Sequence, residues 1–319
     1  MNQVNYLRIS VTDRCNLNCF YCRISAHYYY VKPSEILSFE EILEVTKAAN
    51  QLGIDRIRLT GGEPLMRKNF PQLVKMLSTE CELSDLAITT NGVFLSQCAN
   101  ELKNCGLQRV NVSLDTLSRT CYKEITGQDS LDQVLEGIQT AVEVGLTPVK
   151  INTVLMRGYN DDEILEIARL AKKDEIIPRF IELMPMGGIN WDDLFLPISK
   201  VFQQLDGEFS LHPCEVTKGS GPAKYYKAGD NIVGLISPIS KNFCAACNRI
   251  RMTAQGELRP CLAIDYQIPL KHTLRGCKYI RENKKHLKNL MRKAIDEKTR
   301  EYPWHLGNKI QSKMSTIGG

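Results

Sequence analysis

Tyr6-Leu7-Arg8-Ile9-Ser10-Val11-Thr12-Asp13-Arg14-Cys15-Asn16-Leu17-Asn18-Cys19-Phe20-Tyr21-Cys22 decides how the rest of the chain is read. It begins as a strand. Neighbouring side chains on a strand point to opposite faces, so Leu7, Ile9 and Val11 share one face and Arg8 and Ser10 the other. It ends in three cysteines at C-x3-C-x2-C spacing, with the aromatic Tyr21 directly before the last. Thiolates are the usual ligands of iron–sulfur clusters and of zinc. Structural zinc normally takes four ligands, so three thiolates suit a cubane with one iron left open. On spacing alone, zinc and coincidence remain alternatives.

Outward from this stretch, strand and helix alternate to about residue 185. Strand-like runs are Tyr6–Val11, Arg56–Thr60, Leu86–Asn91, Arg109–Ser113, Val149–Val154 and Arg179–Leu183. Helix-like segments between them are Phe39–Leu52, Asn69–Leu77, Leu95–Asn104, Leu131–Val144 and Asp162–Lys172. Ser38 with Glu41 three residues on reads as a capping box. Gly53, Gly106 and Gly145 stand where helix-ending glycines belong. Repeated strand–helix units predict a parallel sheet covered by helices. Six units precede a break, whereas a closed barrel of this kind needs eight. The expected fold is therefore α/β, an incomplete (βα)6 TIM-like barrel, with an open doubly wound sheet as the alternative.

The strand faces say more. Ile57 and Leu59 oppose Arg56, Arg58 and Thr60. Leu86 and Ile88 oppose Thr89 and Asn91. Val110, Val112 and Leu114 oppose Asn111, Ser113 and Asp115, and Val149 and Ile151 oppose Lys150 and Asn152. One face in water would explain this for an antiparallel sheet, but the intervening helices argue for buried parallel strands. Small barrels normally fill their lumen with branched apolar residues. A polar lumen points to a cavity around a hydrogen-bonding ligand, and Arg8, Arg58 and Lys150 make that ligand anionic.

After residue 187 the periodicity weakens, and Ser220-Gly221-Pro222 and Gly229-Asp230-Asn231 read as turns. We divide the chain into a partial barrel, 1–186, and an irregular C-terminal region, 187–319. The latter holds a second triplet, Cys244, Cys247 and Cys261, at C-x2-C-x13-C spacing. Alone it resembles half a zinc ribbon. The run Cys247-Asn248-Arg249-Ile250-Arg251, however, sets two guanidinium groups beside a site with a free position, which reads as a substrate anchor. The other six of the twelve cysteines have no ligand spacing and read as ordinary thiols, and the five histidines are scattered.

Composition is that of a globular chain: 43% hydrophobic, 24% charged, net charge +5. Residues 271–300 carry eleven Lys/Arg against three Asp/Glu, which reads as a solvated basic helix face rather than a nucleic-acid surface. No signal peptide and no run of 18 apolar residues is visible. Reduced thiols in the cytoplasm, not disulfides, fit the cysteines.

The chain resembles the radical S-adenosylmethionine (SAM) superfamily, and within it the GTP 3′,8-cyclases of molybdenum cofactor biosynthesis. The resemblance rests on Leu7 to Asn16 and on Arg58-Leu59-Thr60-Gly61-Gly62-Glu63-Pro64-Leu65-Met66-Arg67. Thr89-Thr90-Asn91-Gly92, Asn111-Val112-Ser113-Leu114-Asp115 and Phe180 to Gly187 match as well, as do Phe243 to Leu262 and the closing Gly318-Gly319. The GGEP run alone is general to radical SAM enzymes. The arginine-bearing second triplet and the double-glycine end are specific to the cyclase.

This resemblance implies two [4Fe–4S] clusters, on Cys15, Cys19 and Cys22 and on Cys244, Cys247 and Cys261. SAM bound at the first would be reductively cleaved to a 5′-deoxyadenosyl radical that takes the ribose 3′ hydrogen of GTP, giving 3′,8-cyclo-7,8-dihydro-GTP. It places Tyr21, Gly62, Ser113 and Met184 against SAM. It places Arg8, Arg58, Thr89, Lys150, Arg249, Ile250 and Arg251 against GTP, and gives Arg8, Arg58, Lys150, Gly318 and Gly319 a part in catalysis. For Gly62, the reason at this stage is close approach of backbone to ligand. Implied partners are GTP, an electron donor and the downstream cyclic pyranopterin monophosphate synthase. No membrane or nucleic acid is expected, and a homodimer is compatible.

The chain departs from the family at Arg23-Ile24, where Met-Pro is common, at Ala26-His27-Tyr28-Tyr29-Tyr30, and at Met252, where Leu is common. Two rivals are a peptide-modifying radical SAM enzyme with an auxiliary cluster and a zinc-based nucleic-acid-binding module.

Overall fold

The computed structural model describes residues 3–22, 30–173, 175–186, 189–216, 219, 221–276 and 280–298. The first half runs β1 (Tyr6–Ser10), α1 (Phe39–Asn50), β2 (Arg56–Thr60), α2 (Phe70–Glu80), β3 (Asp85–Thr90) and α3 (Leu95–Asn104). It continues β4 (Arg109–Ser113), α4 (Arg119–Thr126), α5 (Leu131–Glu143), β5 (Val149–Leu155), α6 (Ile164–Arg169) and β6 (Ile176–Glu182). All the expected elements form, with ends moved by a few residues. The capping box of α1 is present in both directions: Ser38 Oγ accepts from the Glu41 amide, and Glu41 accepts from the Ser38 amide at 2.7 Å. Gly53, Gly106 and Gly145 all take positive φ.

Helix α4 is not announced by the sequence pattern. It spans eight residues and buries only Tyr122, Ile125 and Thr126, too few for a helical period to show. Its start is set by Ser118, whose side chain accepts from the Cys121 amide.

The C-terminal region is more regular than its sequence suggests. It adds α7 (Trp191–Leu194), α8 (Ile198–Phe209), β7 (His212–Cys214), β8 (Lys224–Ala228), β9 (Asn231–Ile236) and β10 (Arg249–Met252). It ends with β11 (Glu257–Arg259), β12 (Ile268–Pro269), α9 (Lys271–Arg275) and α10 (Ile280–Asp296). Strands β1 to β6 pair in chain order, all parallel. Strand β9 then joins β6 in parallel, and β10 joins β1 in parallel. The sheet thus runs β12-β11-β10-β1-β2-β3-β4-β5-β6-β9-β8-β7, with antiparallel strands at both ends that do not meet. The barrel is incomplete, as expected, but its parallel part is widened by two strands that come without their own strand–helix unit.

The sheet's two faces separate as the alternation predicts. Leu7, Ile9, Ile57, Leu59, Leu86, Ile88, Val110, Val112, Val149 and Ile151 are at most 1% exposed. They pack with Val45, Leu73, Leu77, Leu102, Val134 and Ile138 from the helices. Each such side chain contributes roughly 1.5–3 kcal/mol. The opposite faces carry the polar residues and enclose a cavity.

The basic C-terminal segment is partly docked. Leu287, Met291 and Ala294 of α10 enter the core. Lys284 pairs with Glu44 at 3.4 Å, Arg275 with Glu41 at 2.6 Å, and Lys271 with Glu35, so the acidic surroundings of α1 match part of the positive surplus. Among the described residues no helix is long and apolar enough to cross a membrane.

Candidate active site

A cavity of about 370 Å³ fills the polar side of the sheet, and both cysteine triplets line it. The N-terminal triplet follows β1 in a loop held by its neighbours. The Gly62 amide donates to Thr12 O at 2.8 Å and the Glu63 amide to Arg14 O at 2.7 Å. Glu63 in turn accepts from Thr90 Oγ1 and the Asn91 amide, both at 2.7 Å, and from the Leu65 amide at 3.0 Å. Burial pushes the Glu63 carboxyl up to about 7, against the pull of these donors. Asn91 Nδ2 reaches Asn16 Oδ1 at 2.8 Å and Cys15 Sγ at 3.7 Å. The Gly-Gly-Glu loop therefore clamps the cysteine loop to the end of β3.

This geometry gives Gly62 a reason of its own. A Cβ there would strike the Arg14 carbonyl, 2.5 Å from its carbon, with Asp13 O at 2.9 Å. The close approach that excludes a side chain is made by the cysteine loop itself.

Tyr21 donates from its hydroxyl to Asp115 Oδ2 at 2.6 Å, and Val154 donates to Asp115 Oδ1 at 2.9 Å. Burial lifts Asp115 to about 6 in spite of these bonds. The Cys19 thiol is raised well above its ordinary range, first by burial, then by Asp115, Cys22 and Cys15. Such thiols need a metal's charge to ionise.

The belt of the cavity is cationic. Register sets Arg8 opposite Arg58 on one side and Arg251 on the other, three arginines abreast on β2, β1 and β10. Arg109 on β4, Lys150 on β5, Arg179 on β6 and Arg249 on β10 complete it. Arg58 donates to the Tyr6 hydroxyl at 3.0 Å and to Ile88 O at 3.1 Å. Arg109 grips Asp85 with both ends of its guanidinium, at 2.8 Å to Oδ1. Burial lowers Arg8 and Arg58 to about 10, and lowers Arg251 further, with Arg8 and Arg249 adding to it. Lys150 falls to about 6 through burial, then Arg179, Arg109 and Arg58, opposed by Asp85. Arg179 Nε is buried and finds no partner among the described residues.

The second triplet closes the cavity from the loop before β10, which carries Cys244 and Cys247, and from Cys261 just after β11. Asn248 donates to Asn5 Oδ1 at 2.7 Å, tying this loop to the start of β1. Lys298 donates to Pro260 O at 3.1 Å, directly before Cys261. Burial acts against ionising Cys247, but Arg249 and Lys298 outweigh it and bring the thiol down to about 6. Arg249 also lies over the Phe243 ring at 5.1 Å. Among the described residues, no three His, Cys, Asp or Glu side chains converge as ligands of one metal ion would.

Of the residues singled out from sequence, Tyr21, Gly62, Ser113, Met184, Arg8, Arg58, Thr89, Lys150, Arg249 and Arg251 line this one cavity with the six cysteines. Ile250 does not: its side chain is fully buried in the apolar core, so only its backbone is left for a ligand. Gly318 and Gly319, Cys277, Gly187 and the departures from Arg23 to Tyr29 lie outside the described residues. Tyr6, Arg109, Arg179 and Lys298 line the cavity and were not singled out. Tyr6 and Arg109 share parity with Arg8 and Asn111 on their strands, a signal that was present. Lys298 is only 7% exposed yet sits in a segment that reads as surface.

Residues 9–171 match the Radical SAM superfamily and residues 176–304 match Molybdenum Cofactor Synthesis C. A GTP 3′,8-cyclase of Desulforamulus reducens is 44% identical over 99% of this chain and 98% of its own length. One from Moorella thermoacetica is 42% identical with the same coverage. In structure the chain is similar to Streptococcus suis SuiB bound to S-adenosylmethionine, with TM-score 0.60 and 14% identity over 84% of this chain and 63% of that one. It is also similar to native anSMEcpe with bound AdoMet, with TM-score 0.58 and 15% identity over 96% of this chain and 84% of that one.

Proposed function

The chain belongs to the family of GTP 3′,8-cyclases, and from that premise we propose that it converts GTP to 3′,8-cyclo-7,8-dihydro-GTP, the first step of molybdenum cofactor biosynthesis. The observation that carries this reading is one cavity lined by both cysteine triplets and by a belt of seven basic side chains. Buried like charges repel; Asp85 offsets part of this, and a polyanion would relieve the rest. A triphosphate does so, and the unsatisfied Arg179 Nε is a donor waiting for it.

We assign Cys15, Cys19 and Cys22 to one [4Fe–4S] cluster and Cys244, Cys247 and Cys261 to another. The donor sets fit. Three thiols stand near enough at each end to act on one another, Cys22 and Cys15 on Cys19 and Cys261 and Cys247 on Cys244, and a cubane offers each thiolate its own iron. When bound, the first cluster supplies the electron that cleaves SAM, and SAM supplies the group that accepts the ribose 3′ hydrogen. Tyr21, Gly62, Ser113 and Met184 form the wall beside that cluster and would hold SAM. Tyr21 is kept in place by Asp115, and Gly62 by the cysteine loop. Arg8, Arg58, Lys150, Arg249 and Arg251, with Thr89 and the backbone of Ile250, would hold GTP so that its ribose faces SAM. The arginines bring planar pairs of donors to phosphate oxygens. Gly318 and Gly319 are assigned to the same cavity on family resemblance.

The division after residue 186 keeps β6 with the barrel. The cysteines require a reducing compartment, which we take to be the cytoplasm. An electron donor and a downstream cyclic pyranopterin monophosphate synthase complete the scheme, and a homodimer is compatible with it. Anaerobic incubation with SAM, GTP and a reductant tests the reading. The cyclised nucleotide should form with 5′-deoxyadenosine, and 5′-deoxyadenosine without any cyclised product would sink it.

A further inference from the structure

Two of the cavity's cations share a partner that does not itself line the cavity. Lys150 Nζ donates to the Tyr225 hydroxyl at 3.1 Å and lies 5.1 Å from the centre of its ring. Arg179 lies beside the same tyrosine, its stem meeting the Tyr225 ring over Gly234, and the tyrosine oxygen favours its charge. Tyr225 comes from β8, two strands away from β6. Its neighbour Tyr226 turns to the opposite face and packs on Phe202, with ring centres 5.3 Å apart. Tyr225 is thereby directed to the cavity side.

The reach across β9 depends on Gly234. In the sheet, Arg179 pairs with Gly234, and Gly234 with Tyr225. A Cβ on residue 234 would lie 2.8 Å from Arg179 Cγ and 3.0 Å from Tyr225 Cε1. The missing side chain is the notch in which the arginine stem and the tyrosine ring meet.

We propose that Tyr225 is a positioning residue for the substrate's phosphates, its hydroxyl oxygen holding Lys150 and its ring seating the Arg179 stem, so that the two face the cavity as a pair. This rests on the GTP reading above. The groups around Lys150 are Arg58 on β2, Asp85 on β3, Arg109 on β4, Arg179 on β6 and Tyr225 on β8. Of these groups, Asp85 and the tyrosine oxygen favour an ammonium there. Burial and the three arginines bring Lys150 down to about 6 in the empty cavity. A bound polyphosphate restores its charge, so GTP binding takes up a proton above that pH and affinity falls as pH rises. Removing the tyrosine oxygen lowers Lys150 further and moves the onset of that fall toward acid.

The test is GTP affinity of the holoenzyme, measured anaerobically with SAM present and no reductant, from pH 5.5 to 8.5. Tyr225→Phe should weaken GTP roughly three- to tenfold near neutrality, the size of one ordinary hydrogen bond, because the tyrosine acts on the phosphates only through its neighbours. It should shift the pH onset downward while iron content and SAM affinity stay at wild-type values. The γ-phosphate titrates alike in both proteins, so the difference isolates Lys150. Gly234→Ala, which fills the notch, should act in the same direction. Wild-type GTP affinity in Tyr225→Phe overturns the inference, as does a uniform weakening with the onset unmoved, which marks a mere packing defect. Wild-type protein that fails to bind GTP at any pH overturns the substrate reading and this inference with it.

Discussion

Gly62→Ala is a one-methyl perturbation with a consequence far larger than its size. The added carbon would meet the Arg14 carbonyl inside the 3.0 Å that real Cβ atoms keep, and Asp13 O as well. Both obstacles are backbone, so no side chain can swing aside. Either β2's end or the loop before Cys15 must move, and β2 is fixed by ladders to β1 and β3. The loop yields. It then loses the bonds from the Gly62 and Glu63 amides to Thr12 O and Arg14 O, at about 1 kcal/mol each. Overpacking adds about 1–3 kcal/mol. A local cost of about 3–5 kcal/mol is enough to dismantle one loop and leave the apolar core intact. The variant should fold with wild-type circular dichroism, retain roughly four irons per chain instead of roughly eight, and fail to bind SAM. Gly207→Ala is the control: nothing lies within 4 Å of its Cβ position in α8, and it should be neutral or stabilising. Full iron content and wild-type SAM affinity in Gly62→Ala would refute the reasoning.

Replacing Cys15, Cys19 and Cys22 by Ala should remove about four of roughly eight irons and abolish SAM cleavage. Replacing Cys244, Cys247 and Cys261 should remove the other four, and stoichiometric zinc at that site after anaerobic preparation would contradict the two-cluster assignment. Arg249→Ala or Arg251→Ala should raise the GTP dissociation constant about ten- to a hundredfold, from roughly 1.5–3 kcal/mol of charge-assisted hydrogen bonding, with SAM affinity unchanged. Asp85→Asn should destabilise the fold by about 3 kcal/mol at pH 7, because it strips Arg109 of its buried partner. Burial alone would raise the Asp85 carboxyl, but Arg109 and Arg58 hold it below its ordinary value. The pair's contribution is therefore present above pH about 4 and lost as pH falls through the depressed value, so urea melts should show the gap to wild type closing in acid. Deleting Gly318 and Gly319 should leave folding and SAM binding intact while cyclised product falls steeply; wild-type product formation would reduce the pair to a simple chain end.

The strands and most of the cavity were legible because a single period governs both. On β4, one face carries Val110 and Val112 into the core and the other carries Arg109, Asn111 and Ser113 to the cavity, so fold and site come from the same alternation. What stayed hidden depends on partners distant in sequence. Strand β10 is four residues long and acquires its place by lying between β1, distant in sequence, and β11. Lys298 looks like one more solvated lysine until Pro260 and Cys247 surround it. The tight contact of Gly62 with the backbone of Asp13 and Arg14 was not legible either, since no local pattern announces that a glycine meets another turn of chain.

The pairing of β1 with β10 also constrains how this protein comes into being. Residues 6–9 find one neighbour at residues 56–59 and the other only at residues 249–252. At a ribosome's pace of about 5–20 residues per second, the far edge of β1 stays bare for roughly 10–50 seconds. Throughout that interval the nascent chain presents an unpaired strand edge with three thiols beside it, a combination open to edge-to-edge association and to oxidation. The row Arg58, Arg8, Arg251 forms only when that last strand docks. Iron delivered before then meets a half-built cavity, so a cell making this protein gains by loading metal after release rather than during synthesis.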